Sequence, residues 1–298
     1  MNRLAADGLL LITATLWGVT FVAQKDVVGV LPPLAYVASR FAVSALALAP
    51  IALVEQRWAR RKAKPGAMKL AFAIGLTLFL GTSLQQIGLE TTSATNGGFL
   101  TACYVVLTPF VVWALSRTRP RAIVLAASLV SLIGAWLLAA GGGPAKPATI
   151  GDGFVLLADF AWATGIALTP LFLIRGGRPL TLAFTQYAIC GALAGLTSAA
   201  FETVDPHAFV EAAPSILFAG LVSGAVAYTL QIFAQAHTPP AEAALILSLE
   251  SVSAALAGAA LLGERLSWLG ALGCALILIG AVAVEAVPAL AQRATAQA

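Results

Sequence analysis

Apolar runs of about twenty residues, enough to cross a bilayer as helix, follow one another from Gly8 to Val287, separated by short charged or Gly/Pro-rich connections. They predict spans near 8–27, 33–54, 67–88, 94–115 and 121–140, then 153–173, 180–200, 213–235, 241–262 and 268–287. Almost none alternates with period two and most exceed a buried strand, so an all-α membrane protein of ten transmembrane helices is predicted, not a barrel. At 60% hydrophobic and 10% charged residues, the chain has too few polar groups to cover a water-facing surface. The solvent is lipid. The first run mimics a secretory signal but lacks a small-x-small cleavage site, so it is predicted to stay as the first span.

The chain also repeats itself. Gly8 to Trp17 is echoed by Gly153 to Trp162 at a spacing of 145, and further echoes follow at 146. Pro33-Leu34 is answered by Pro179-Leu180, Leu84-Gln85 by Leu230-Gln231, and Leu132-Ile133-Gly134-Ala135 by Leu278-Ile279-Gly280-Ala281. Four matches within one residue of a common spacing predict a duplicated fold, with a first five-helix repeat at 1–143, an external linker at 144–152 and a second repeat at 153–298. An odd number of spans per copy means that the second copy enters the membrane from the opposite side. The two halves then form an inverted 5+5 pair around a central cavity.

Charge sets the predicted orientation. With the N-terminus inside, thirteen of the 17 Lys and Arg residues fall on the cytoplasmic side: Arg3, Arg57, Arg60, Arg61, Lys62, Lys64, Lys69, Arg117, Arg119, Arg121, Arg175, Arg178 and Arg293. Lys25, Lys146 and Arg265 fall outside, and Arg40 lies within a span. Both termini are expected in the cytoplasm. The net charge of +4 therefore belongs to helix ends, and no nucleic-acid partner is expected. Cys103, Cys190 and Cys274 sit in apolar runs without a CxxC pair, and His207 and His237 stand apart, so neither a metal nor another cofactor is expected. No GxxxxGK[ST] loop is present, which leaves a gradient as the energy source.

Polar residues deep in a span point to an interior compartment. They gather on the first, third and fourth spans and on the sixth, eighth and ninth. The candidate cavity residues are Trp17, Thr20, Phe79, Ser83, Gln86, Phe99, Tyr104, Trp162, Tyr228, Gln231 and Glu250. Glu250 falls near the midplane and is, with Asp159, a candidate for proton coupling. Arg40 and Asp159 lie at matching depth and are expected to form a structural ion pair. Pro109 and Pro170 are candidate hinges, since each removes a backbone donor.

Leu16-Trp17-Gly18, Leu107-Thr108-Pro109, Leu249-Glu250 and Leu262-Gly263-Glu264-Arg265-Leu266 resemble the drug/metabolite transporter superfamily, EamA type, over essentially the whole chain. Within it the chain looks like the YddG-type exporters of amino acids, aromatic ones included, of the bacterial inner membrane. Ser251 departs from the Pro usual after the ninth-span acid, and Ser116-Arg117 replaces the first repeat's Gly-Glu. The resemblance implies a monomeric basket of helices that exports a small-molecule substrate, an amino acid or related metabolite, by alternating access. An organic-cation efflux pump of the same superfamily is the alternative, since Glu250 would supply the acid in an aromatic cavity. An intramembrane enzyme is disfavoured, because isolated histidines do not make a catalytic cluster.

Overall fold

The surface is apolar where that of a water-soluble protein is polar, and several polar side chains are buried within an apolar interior. Leu46, Leu157, Phe160, Leu278 and Val282 are exposed, while Thr13, Thr20, Thr108 and Asp159 are wholly buried. Such a surface suits hydrocarbon, and such an interior keeps polar groups away from it. The computed structural model describes residues 1–58, 63–92, 94–141, 149–261 and 266–297. Most of the predicted linker lies outside these residues, as do Arg60, Arg61, Lys62 and the Gly263-Glu264-Arg265 motif. The side chains of Lys25, Lys146 and Arg293 lie outside them too.

The described residues are helical and contain no strand. The helices are α1 (Arg3–Asp26), α2 (Pro33–Arg57), α3 (Ala67–Gly88), α4 (Ala94–Thr101), α5 (Tyr104–Ser116), α6 (Ala122–Ala140), α7 (Ile150–Ile174) and α8 (Pro179–Phe201). After the short α9 (Pro206–Glu211) and α10 (Ala213–Phe218) comes a π-helical segment, Ala219–Tyr228. It is followed by α11 (Thr229–Ala234), α12 (Pro240–Leu247), α13 (Leu249–Leu261) and α14 (Trp268–Gln297). Among the described residues 8 stretches are long and apolar enough to cross a membrane. Of the ten predicted positions, the other two hold α1, a helix of 24 residues, and the apolar Trp268–Val284 part of α14. α7 starts inside the segment predicted as linker, because the Thr149 side chain caps it and Asp152 returns the bond to Thr149 N.

The α2–α8, α3–α7 and α6–α14 pairs run antiparallel, whereas α1 runs the same way as α12 and α13, with Arg3 beside Glu242 and Gly18 beside Ser253. α3 meets α7 with Gly88 against Gly151 and Gly81 against Trp162. α6 meets α14 with Gly134 against Gly273 and Gly280 against Ser131. α1 meets the π segment, where Thr13 Oγ1 donates to Ala227 O and Trp17 Nε1 to Ser223 O. The α2–α8 pair is tied at both ends. Glu55, near the end of α2, accepts from Leu180 N and Thr181 N at the start of α8 (3.2 and 2.7 Å). Glu202, just beyond α8, accepts from Leu34 N and Ala35 N at the start of α2 (2.8 and 2.9 Å). Each carboxylate satisfies orphan donors of a helix running the other way and lies at its positive end.

Two further ties sit at the repeat spacing. Thr92 Oγ1 donates to Asp152 Oδ1 (2.9 Å), and Thr238 Oγ1 donates to Asp7 Oδ1 (2.8 Å). The Asp7 end is the more heavily tied. Arg3 bonds both Asp7 and Glu242 (2.9 and 2.6 Å), and Arg121 also pairs with Glu242.

The α6–α14 contact yields a direct test. A Cβ on Gly134 would stand 2.6 Å from Gly273 O and 2.9 Å from Ile277 N, both backbone atoms that cannot turn aside. Gly134→Ala should cost about 1–3 kcal/mol and lower the thermal unfolding midpoint in detergent, whereas Gly8→Ala, with open space around it, should not.

Candidate functional site

Two of the spans are interrupted midway. α4 ends at Thr101 and α5 begins at Tyr104, while α12 ends at Leu247 and α13 begins at Leu249. The breaks at Ala102-Cys103 and Ser248 are again about one repeat apart. They differ from the predicted hinges: Pro109 lies inside α5 and Pro170 inside α7, each within one continuous helix. In α5 the Thr108 hydroxyl donates to Tyr104 O (2.7 Å), one turn back on the same helix. Tyr104 and Glu250 each stand in the first turn of the helix that follows a break.

Both residues line the same partly open cavity. Its walls come largely from matched positions of the two halves: Trp17 with Trp162, Gln24 with Thr169, Arg40 with Gln186, Thr77 with Ser223, Gln85 with Gln231, and Tyr104 with Glu250. Every pair is separated by 145 or 146 residues. Four of these pairs carry no formal charge. Arg40 and Glu250 each bring one, and each faces a neutral residue at the equivalent position.

The aromatic wall is built by close approach. A Cβ on Gly18 would lie 2.6 Å from Glu250 O and 2.5 Å from Ser253 Cβ, so the glycine lets α1 press against α13 while its neighbour Trp17 turns to the cavity. Gly81 leaves the slot in α3 where the Trp162 ring lies. Tyr228 sits between the two indoles, its centroid 4.5 Å from Trp17 and 6.1 Å from Trp162. Its equivalent in the first half, Thr82, is buried and bonds Leu78 O. The two positions differ because Tyr228 ends the π segment. There neighbouring side chains take carbonyls of the wide helix: Ser44 at Gly220 O, Trp17 at Ser223 O, Tyr187 at Gly224 O and Thr13 at Ala227 O. A π-helix is a rare element that recurs at functional sites.

Of the candidate cavity residues, Trp17, Tyr104, Trp162, Tyr228, Gln231 and Glu250 come together here. The others do not line it. Thr20 is buried and bonds Leu16 O, and Phe79 and Phe99 pack against separate apolar clusters. Ser83 and Gln86 are buried off the cavity, and it is Gln85 that faces it, donating to Thr101 Oγ1 at 3.0 Å. One residue along a helix is a 100° turn, so a small error in facing exchanges neighbours.

The expected Arg40–Asp159 ion pair is not formed. Equal depth does not make two helices neighbours: α2 packs on α8, the π segment and α3, whereas α7 packs on α3, α4, α5 and α12. The Arg40 guanidinium lies instead over the rings of Tyr36 and Phe41, 5.3 and 4.9 Å from their centroids. Asp159 stays fully buried with no hydrogen-bond partner on either oxygen, within electrostatic reach of Glu250, Tyr104 and Cys103. Sequence reasoning missed Gln186 and the cavity role of Arg40. The repeat spacing applied to every polar residue would have found Gln186 opposite Arg40.

Comparison with known proteins adds a likeness over the whole length. A family model described as the EamA-like transporter family matches the chain twice, at residues 4–140 and 149–285. An uncharacterized transporter of Archaeoglobus fulgidus is 31% identical over 286 residues, spanning 96% of this chain and 87% of that one. A solved crystal structure superposes with a TM-score of 0.75 at 20% identity, covering 98% of this chain and 99% of that chain, a likeness of fold alone.

The cavity can be probed chemically. In a chain whose three cysteines are replaced, Gln231→Cys should react with a small charged thiol reagent and Thr20→Cys should not. Mass spectrometry of the labelled protein reads the difference.

Proposed function

The chain belongs to the EamA-like transporter family, and from that premise we propose that it exports amino acids, aromatic ones among them, and similar small amphipathic metabolites. The reading takes ten spans as two oppositely inserted five-helix copies, 1–143 and 153–298, in the bacterial inner membrane with both termini in the cytoplasm. One observation carries it. The matched positions of the two copies converge on one compartment, and the rings of Trp17, Tyr228 and Trp162 stand together in its wall.

Antiparallel pairing of α2 with α8, α3 with α7 and α6 with α14 supports the inverted relation. The broken spans beside Tyr104 and Glu250 support a site near the membrane midplane, where discontinuous helices commonly hold substrate. Alternating access follows as the working principle: a packing open to one copy is open, inverted, to the other, and exchanging the two turns the compartment from cytoplasm to exterior. The Arg3–Glu242–Arg121 network and the Asp7–Thr238 tie act as the closure on one face, and the Thr92–Asp152 tie acts on the other. The same cavity offers an acid among aromatics to an organic cation, but Arg40 in its wall repels a permanent positive charge.

Purified protein in liposomes should exchange labelled phenylalanine and tryptophan faster than a permanent organic cation such as tetraphenylphosphonium; the reverse order overturns amino-acid export in favour of cation efflux. Trp162→Ala should lower that exchange by about tenfold or more. Proton coupling is assigned to Glu250, with Asp159, Tyr104, Tyr228 and Arg40 as the groups around it. Glu250→Gln should abolish the pH dependence of net transport in these liposomes, and an unchanged pH profile removes Glu250 from that role.

A further inference from the structure

A cavity lined by a guanidinium and a carboxyl group that do not pair with each other offers a partner to each end of a molecule that carries both charges. Arg40 is 5% exposed and lines the cavity, and its Nε has no hydrogen-bond partner. Among the described residues no carboxylate lies within 4.0 Å of its guanidinium, and Glu250, which lines the same cavity, makes no ion pair with it. Removing a charge from water costs several kcal/mol even after relaxation, so a guanidinium that faces this compartment with no carboxylate beside it leaves a standing demand for one, and the Glu250 carboxyl in the same wall can answer a cation. Between them stand Tyr228 and the indoles. Phe41, which carries the Arg40 guanidinium on its face, is 6.2 Å from Tyr228, and Tyr228 is 4.5 Å from Trp17.

The duplication sharpens the point. Gln186 stands where the second half would repeat Arg40, and Tyr104 where the first would repeat Glu250. The equivalent positions therefore make the same walls with neutral residues, and neither charge is required by the packing alone.

We propose that Arg40 and Glu250 are the specificity-determining pair for a zwitterion: Arg40 holds the substrate carboxylate, Glu250 holds its ammonium group, and the aromatic rings take the side chain between them. The planar guanidinium, already backed by Tyr36 and Phe41, presents donors in the fork geometry that a carboxylate accepts. This inference rests on the amino-acid reading and adds to it which end of the substrate each half of the protein reads.

The test uses three probes of one shape: phenylalanine, the cationic phenylalaninamide and the anionic N-acetylphenylalanine. Binding to the purified full chain is read by fluorescence of the cavity tryptophans, and exchange is read separately in liposomes. Wild type should bind phenylalanine about tenfold or more tightly over both analogues, as expected when a buried polar group is left unpaired. Arg40→Gln installs the residue that the equivalent position already carries. It should erase the preference over the amide and keep the preference over the acetylated form. Glu250→Gln should do the converse, and Arg40→Lys should retain part of the preference over the amide. Each variant's unfolding midpoint checks that it folds, and for a variant that does not fold, the other charge's variant decides. Equal or absent binding of the three probes by wild type overturns the proposal, as does a preference that neither substitution changes. Zwitterion-selective binding without exchange would uphold the pair and overturn the transport reading instead.

Discussion

Close contact between backbones is the constraint on which everything else in this protein depends. In lipid, helices gain little by hiding apolar surface, since the surroundings are equally apolar, and association falls to dispersion and to the few hydrogen bonds between helices. Both weaken steeply with distance. The chain answers with bare Cα atoms at the crossings: Gly134 and Gly273 bring α6 onto α14, Gly88 and Gly151 bring α3 onto α7, and Gly18 lays α1 against the carbonyl of Glu250. Where the helices touch this closely, the wide side chains between the contacts are forced to one side, and the Trp17 and Trp162 rings reach the cavity for that reason.

Duplication gives such a structure its compartment almost without further design, because equivalent residues of both halves meet there. What gives the compartment its distinctive chemistry is the departure from likeness. Arg40 differs from Gln186, Glu250 from Tyr104, and Tyr228 from Thr82, the last because the second half carries a π segment where the first keeps an ordinary α-helix. The neutral matched pairs supply a wall, and the mismatched ones supply its chemistry.

Much of this was legible in the amino-acid order. The apolar runs placed nearly every helix, since lipid leaves a backbone few alternatives, and the repeat register paired Trp17 with Trp162 before any coordinates. Depth along a span proved a poor guide to partners: it set Arg40 beside Asp159, although the helices that carry them are not neighbours. Facing was equally hard to read. Gln85 and Gln86 are chemically identical, and hydropathy in a span that is apolar all round does not say which of two adjacent residues points inward. The breaks at Ala102-Cys103 and Ser248 escaped notice because no proline or glycine marks them. The π segment escaped too, since its cause lies in the hydroxyl, phenol and indole donors of three other helices.

The reciprocal carboxylates of Glu55 and Glu202 have a mechanical consequence. Because each closes the opposite end of the same two helices, sliding α2 along α8 would break charged bonds at both ends at once, and nothing along the way would replace them. The pair is a strut of fixed length. Any change of shape in the rest of the molecule must pivot about that strut or bend beside it, which leaves the interrupted spans and the widened π turn as the compliant parts of an otherwise stiff frame.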